Sequence, residues 1–139
     1  MSYLLDTCAT SELIAKRTNQ GFASWFQLQD ATTLYMSVIT IGELRKGIYQ
    51  LAASKRRVTL EAWLNDELLP AFAGRILDID EPLMDAWARL IAVMKAAQIT
   101  RPAFDSLIEA TAIRHNLILV TRNEKDFRGS SVSILNPWT

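Results

Sequence analysis

Residues 117–120 read Leu-Ile-Leu-Val, an uninterrupted apolar run that decides the fold class. A strand that is apolar on both faces is typical of a parallel sheet, because helices cover both sides of such a sheet. The preceding residues, 105–115, place Leu107, Ile108 and Ala112 on one helical face, so a helix leads directly into this strand. A helix followed by a doubly buried strand predicts an α/β fold.

Strands and helices alternate along the rest of the chain. Four further strands are predicted, at 3–5, 33–38, 75–77 and 132–135. Five further helices are predicted, at 11–17, 21–29, 41–51, 58–69 and 82–97. Because alternating strands and helices build parallel sheets, we expect one domain, residues 1–139, with a mostly parallel central sheet flanked by helices on both faces.

The composition excludes several classes of protein. The 139 residues carry 15 basic and 15 acidic side chains, whereas a protein that coats duplex nucleic acid needs an excess of positive charge. With one cysteine, Cys8, and one histidine, His115, the chain has no internal disulfide and no cysteine-rich zinc site. No uncharged apolar run approaches the ~20 residues that span a bilayer, and no signal sequence is recognisable. We therefore expect a soluble, cytoplasmic protein without membrane association.

Four acidic residues follow or adjoin predicted strands, namely Asp6, Glu43, Asp105 and Asp126. Ligands of open α/β sheets bind beyond the carboxyl ends of the strands, so we expect these side chains to converge there. Neighbouring carboxylates repel one another, and a divalent cation relieves that repulsion. Because all the ligands are oxygens, the pattern favours Mg²⁺ or Mn²⁺ over zinc.

Each acidic residue also has a purely structural interpretation. Asp6 could cap the helix that follows it, and Thr40-x-x-Glu43 fits a capping box. Asp105 in a first helical turn would complement the helix dipole, and Asp126 could close a turn. These alternatives stay open from the residues alone.

Four blocks of the sequence form a recognisable series. They read YLLDTC at 3–8, SVITIGELRKG at 37–47, PAFDSLIEATA at 102–112 and LVTRNEKDF at 119–127. The series resembles the PIN-domain ribonucleases, in particular the toxins of VapBC-type toxin–antitoxin pairs and their FitB-like branch. With a closing Asn-Pro-Trp, the resemblance covers nearly the whole chain and implies a single PIN-like domain.

The resemblance implies an endoribonuclease with an acidic Mg²⁺ site, in which Mn²⁺ is also possible. It implies catalytic and metal-binding roles for Asp6 and Asp105 as direct ligands and for Glu43 and Asp126 through water. Supporting pocket residues would be Thr121, Asn123 and Cys8, the last standing where many relatives have Asn. Glu109, one turn after Asp105, could extend the acidic cluster or face solvent. Metal-activated water would hydrolyse RNA to 5′-phosphate and 3′-hydroxyl ends.

The resemblance also implies partners. RNA is the substrate, a cognate antitoxin protein binds the chain, and the chain is a homodimer. Phosphate steering is expected from the basic residues near Asp126, which are Arg122, Lys125 and Arg128. Trp25 and Trp63 are expected to line the groove that receives an antitoxin segment.

Two other functions compete with this interpretation. One is a phosphohydrolase that uses Asp6, although such chemistry wants Asp-x-Asp and the chain reads Asp6-Thr7-Cys8. The other is a non-catalytic or weakly active PIN-like interaction module, which Cys8 mildly favours and the four acidic residues oppose.

Overall fold

Five strands form one parallel sheet in the order β3-β2-β1-β4-β5. The computed structural model describes residues 1–139. The strands are β1 (Tyr3–Leu5), β2 (Leu34–Ser37), β3 (Ile76–Leu77), β4 (Ile118–Val120) and β5 (Ile134–Leu135). The predicted α/β class is confirmed, and every strand pair is parallel.

Seven α-helices connect and cover the strands. They are α1 (Thr7–Glu12), α2 (Gln20–Gln27), α3 (Val38–Tyr49), α4 (Lys55–Ala62), α5 (Leu69–Ala71), α6 (Glu81–Ala96) and α7 (Ala103–Arg114). A π-helical segment, Trp63–Leu68, joins α4 to α5, and 3₁₀ turns lie at Ala31–Thr33 and Glu124–Phe127. No helix has the length and apolar character needed to cross a membrane.

Three helix predictions were wrong in their bounds. The helix predicted at 41–51 is α3, which begins at Val38 and ends at Tyr49. The helix predicted at 11–17 begins at Thr7, because the Asp6 side chain caps it directly after β1. The helix predicted to end near Pro70 continues past this residue. Proline lacks the N–H that the interior of an α-helix needs, and Pro70 lies just after the π-helical segment Trp63–Leu68, where the regular α-helical hydrogen-bond pattern is interrupted.

The sheet separates two hydrophobic cores. Successive residues of a strand point to opposite faces, so Leu4 and Leu5 of β1 enter different cores. Leu119 and Val120 of β4 divide in the same way, and all four side chains are fully buried. The predicted burial of this strand on both faces is confirmed, with helices on each side.

The strand order positions the site. β1 lies at the centre, with β2 on one side and β4 on the other, which makes the carboxyl end of β1 the point where the strand order reverses. The backbone N–H of Asp6 donates to the Val120 carbonyl at 3.2 Å, so the ends of β1 and β4 are joined there.

Candidate active site

An acidic cavity of about 270 Å³ lies beyond the carboxyl ends of the central strands. Its walls are formed by Asp6, Thr7, Cys8, Glu43, Asp105, Ile108, Asn123, Asp126 and Phe127. All four predicted carboxylates therefore line one cavity, although they come from four distant segments of the chain.

Asp6 is both the cap of α1 and a wall of the cavity. Its Oδ1 accepts hydrogen bonds from the Ala9 N–H and the Cys8 thiol, each at 2.9 Å. Burial raises the pKa of Asp6, while hydrogen bonds from Cys8, Thr121 and the backbone oppose the rise. The protein thus surrounds this carboxylate with donors, which leaves it poorly placed as a free nucleophile for a phosphohydrolase.

Cys8 acts as a hydrogen-bond donor in this wall. Burial, followed by the charge of Asp6, raises the pKa of the thiol to about 12. The thiol is therefore protonated at neutral pH and donates to Asp6. The Arg122 N–H points to its sulfur at 3.5 Å, and the buried Thr121 hydroxyl lies 3.9 Å from it. Thr121 also accepts from the Asn123 N–H at 3.0 Å, so the three expected supporting residues contact one another in series.

Glu43 is oriented by a residue that the sequence did not identify. The Thr7 hydroxyl donates to Glu43 Oε1 at 2.6 Å and lies 3.3 Å from the Thr40 hydroxyl. The capping-box interpretation is wrong, because Ser37 caps α3 by accepting from the Ile39 N–H. Thr7 and Glu43 are 36 residues apart, a separation at which no local sequence pattern reveals a pair.

Asp105 stands in the first turn of α7 and is surrounded by negative charge. Burial is the largest cause of its raised pKa, followed by repulsion from Asp126, Glu43 and Asp6, while Arg101 opposes the rise. A helix dipole alone would favour the ionised form. The neighbouring carboxylates and burial therefore outweigh the helix dipole at Asp105.

The donor set fits a divalent cation by its chemistry. No three acidic, cysteine or histidine side chains lie close enough together to form a ready metal site. Carboxylate oxygens are nonetheless the ligands of Mg²⁺ and Mn²⁺, and a cation would neutralise the repulsion felt by Asp105. The four-ligand assignment stays a prediction.

A larger groove of about 670 Å³ adjoins the cavity. The two share Asp105 and Asp126, and the groove is also lined by Lys125, Arg128 and Arg101. Arg122, the third residue expected to steer phosphate, lies elsewhere, with its guanidinium carbon 5.9 Å from the centre of the Trp138 ring. The structure thus places Lys125 and Arg128 beside the carboxylates, but not Arg122.

Glu109 neither extends the acidic cluster nor faces solvent. It is fully buried and forms an ion pair with Arg101, with Nε and Oε1 separated by 2.8 Å. Arg101 was missed in the sequence. Glu109 stands alone among small residues on the inner face of α7, and this pattern could have indicated a buried basic side chain as its partner.

Comparison with known proteins identifies relatives over nearly the full length. The PIN domain family matches residues 3–129. The chain is 36% identical to the VapC ribonuclease Y4jK of Sinorhizobium fredii over 135 residues, 97% of this chain and 96% of that protein. It is also 36% identical to the toxin FitB of Neisseria gonorrhoeae, covering 97% of each protein.

A solved structure agrees with this similarity. The crystal structure of FitAcB from Neisseria gonorrhoeae superposes with a TM-score of 0.92 at 35% identity, over 98% of each chain. The fold, with its parallel sheet and flanking helices, is therefore shared over the whole domain.

Proposed function

The chain belongs to the PIN domain family, in the group that includes VapC ribonucleases and the toxin FitB, and we propose that it is a metal-dependent endoribonuclease, the toxin of a VapBC-type toxin–antitoxin pair. The observation that carries the proposal is the convergence of four carboxylates on one cavity beside a basic groove. Carboxylates serve a divalent cation, and the cations of the groove suit a polyanion.

The carboxylates of the cavity have two different roles toward a metal ion. Asp6 and Asp105 would hold a Mg²⁺ or Mn²⁺ ion directly, and Glu43 and Asp126 would hold it through water. When bound, the ion supplies a Lewis acid for a phosphate oxygen and lowers the pKa of water. Thr7 supports this arrangement because its hydroxyl fixes one oxygen of Glu43.

Lys125 and Arg128 place the RNA. Both line the groove that shares Asp105 and Asp126 with the cavity. RNA bound to Lys125 and Arg128 would therefore place a phosphate beside the acidic cavity. Their positive charge also offsets the repulsion that RNA would meet from the carboxylates. Hydrolysis by water leaves 5′-phosphate and 3′-hydroxyl ends, with no part for the 2′-hydroxyl.

Mapping the ends of cleaved RNA tests this function. Wild-type protein with Mg²⁺ should yield 5′-phosphate ends in total cellular RNA, and EDTA should abolish them. Lys125→Ala and Arg128→Ala should raise KM more than they lower kcat, whereas Arg89→Ala, on the exposed side of α6, should change neither. Cleavage that persists in EDTA, or 2′,3′-cyclic phosphate ends, would contradict the proposal.

A second groove supports an antitoxin partner. It measures about 310 Å³, shares Thr7 and Glu43 with the acidic cavity, and is mostly apolar, with Ile14, Leu44, Ile48, Leu60 and Trp63 in its wall. A partner segment seated on these side chains would reach the active cavity. Trp63 lines this groove, whereas the ring of Trp25 packs edge-on against Tyr3 at 5.2 Å.

Co-purification tests the partner and the expected homodimer together. Where a small open reading frame adjoins the gene, its protein should be retained when the two proteins are co-expressed, and Leu60→Glu should release it. Ser130→Glu, away from the groove, is the matched control. Light scattering should give twice the chain mass; a monomer both free and in the complex would contradict the dimer.

A further inference from the structure

The turn that carries Asp126 is anchored in the core by the buried Phe127 side chain, but its backbone–backbone hydrogen bonds are local. Between β4 and β5 the chain forms only the short 3₁₀ turn Glu124–Phe127. The backbone bonds of the turn are local, such as that from the Asp126 N–H to the Asn123 carbonyl at 3.0 Å. Further support for the backbone of the turn comes from another part of the chain.

Arg101 supplies that support. Its guanidinium donates to the backbone carbonyl of Asp126 at 2.5 Å and to that of Arg128 at 3.0 Å, and it lies 5.6 Å from the centre of the Phe127 ring. One side chain thus contacts three consecutive residues. Just beyond them, Gly129 turns the chain with a φ of 75° and packs so closely on Ile99 that a Cβ would lie 2.6 Å from Ile99 Cδ1.

Glu109 fixes Arg101 in turn. Its carboxylate binds the guanidinium through Nε at 2.8 Å and Nη2 at 3.4 Å. The side chains of Arg101 and Glu109 are 4% and 0% exposed, so the ion pair lies almost entirely beneath the surface of the groove. Glu109 lies one turn after Asp105 on α7. The ion pair therefore connects the helix that carries Asp105 to the turn that carries Asp126.

We propose that Arg101, anchored by Glu109, is a positioning residue that holds Asp126 against Asp105 so that the two carboxylates bind a divalent cation together. The inference rests on the proposed function for its metal, but not on RNA cleavage. Partners that orient metal ligands typically change metal affinity by about 10- to 100-fold when they are removed.

The test is Mn²⁺ binding by calorimetry to the double variant Arg101→Met/Glu109→Leu. Single variants leave a buried charge unpaired and are prone to misfold, whereas apolar replacement of a whole buried pair is usually tolerated. We expect the double variant to melt near the wild type but to bind Mn²⁺ at least tenfold more weakly.

Arg75→Met is the matched control. Arg75 also donates to backbone carbonyls, those of Ala31, Leu34 and Ala71, and lies 5.1 Å from the centre of the Phe72 ring, but none of these residues lines the acidic cavity. This variant should melt lower and bind Mn²⁺ as the wild type does.

Each outcome decides one question. Equal Mn²⁺ affinity in the double variant and the wild type would overturn the positioning role, and so would an equal loss in Arg75→Met. A wild type that binds no Mn²⁺ would overturn it outright. A wild type that binds Mn²⁺ but cleaves no RNA would remove the proposed function while leaving the positioning role to be judged by affinity alone.

Discussion

Asp6 and Asp105 are the same residue type in one cavity, yet their surroundings differ. Asp6 is buried at the end of β1 and receives hydrogen bonds from the Cys8 thiol and the Ala9 N–H. Asp105 is half-buried on α7, receives no hydrogen bond, and is repelled by three other carboxylates. Burial raises the pKa of both residues, but only at Asp105 do neighbouring charges add to the rise.

Asp6 therefore has hydrogen-bond partners within the protein, and Asp105 has none. Hydrogen bonds from the Cys8 thiol and the Ala9 N–H hold the Asp6 side chain in place with or without a cation, although burial still raises its pKa. Asp105 receives no such hydrogen bond, and a bound cation would supply a favourable charge interaction for its carboxylate. Metal binding and metal-free stability should therefore respond differently to changes at the two positions.

The largest effect is expected on catalysis, where the two residues should behave alike. Asp6→Asn and Asp105→Asn each remove one charged ligand, a loss of about 4 kcal/mol in transition-state stabilisation, or roughly a thousandfold in rate. Initial rates of RNA cleavage with saturating Mg²⁺ measure this. Asp85→Asn, on the exposed side of α6, serves as control. If a variant at either position keeps a tenth of the wild-type activity, the residue replaced is not a metal ligand.

The second effect concerns stabilisation by the metal. A ligand at a hundredfold excess over its Kd stabilises the folded state by about 2.7 kcal/mol. Wild-type protein should therefore melt several degrees higher in Mg²⁺ than in EDTA, while Asp105→Asn should shift much less. Thermal melts followed by circular dichroism give both values. If Mg²⁺ shifts neither protein, the cavity does not bind this cation.

The third effect compares Asn with Ala at each position in EDTA. At Asp6, Asn keeps an acceptor for the Ala9 N–H and Ala does not, so Asp6→Asn should be more stable than Asp6→Ala by about 1 kcal/mol. At Asp105 there is no such bond to keep, and Ala has the better helix propensity. Asp105→Asn should therefore be no more stable than Asp105→Ala. Urea unfolding of the four variants measures this, and the same order at both positions would remove the distinction.

Sequence reasoning reached the fold and the four carboxylates because both depend on local patterns. The apolar run at 117–120 indicates a doubly buried strand, and each acidic residue lies near a strand end or a helix start. The residues that it missed, Thr7 and Arg101, act through partners far away in the chain. Thr7 orients Glu43 from α1, and Arg101 binds carbonyls 25 and 27 residues ahead.

The smallest effect is the pH dependence of the metal-free protein. The folded pKa of Asp105 lies above its ordinary value of 3.8, so the folded chain binds more protons than the unfolded chain in this range. Stability from this group is complete below 3.8 and is lost as the pH rises through the raised pKa. Wild-type protein in EDTA should lose stability over that interval, and Asp105→Asn should lose less. At pH 7, Asp105→Asn should be more stable than wild type by about 0.5 kcal/mol, the usual scale for partly exposed charges. The raised pKa of Asp6 adds a second loss of stability in the same direction, which Asp105→Asn leaves in place.

Urea unfolding in EDTA across pH 4 to 8 measures the stability of wild-type protein and of Asp105→Asn. If Asp105→Asn and wild type decline in parallel, the folded-state pKa of Asp105 is not raised, either by burial or by its acidic neighbours.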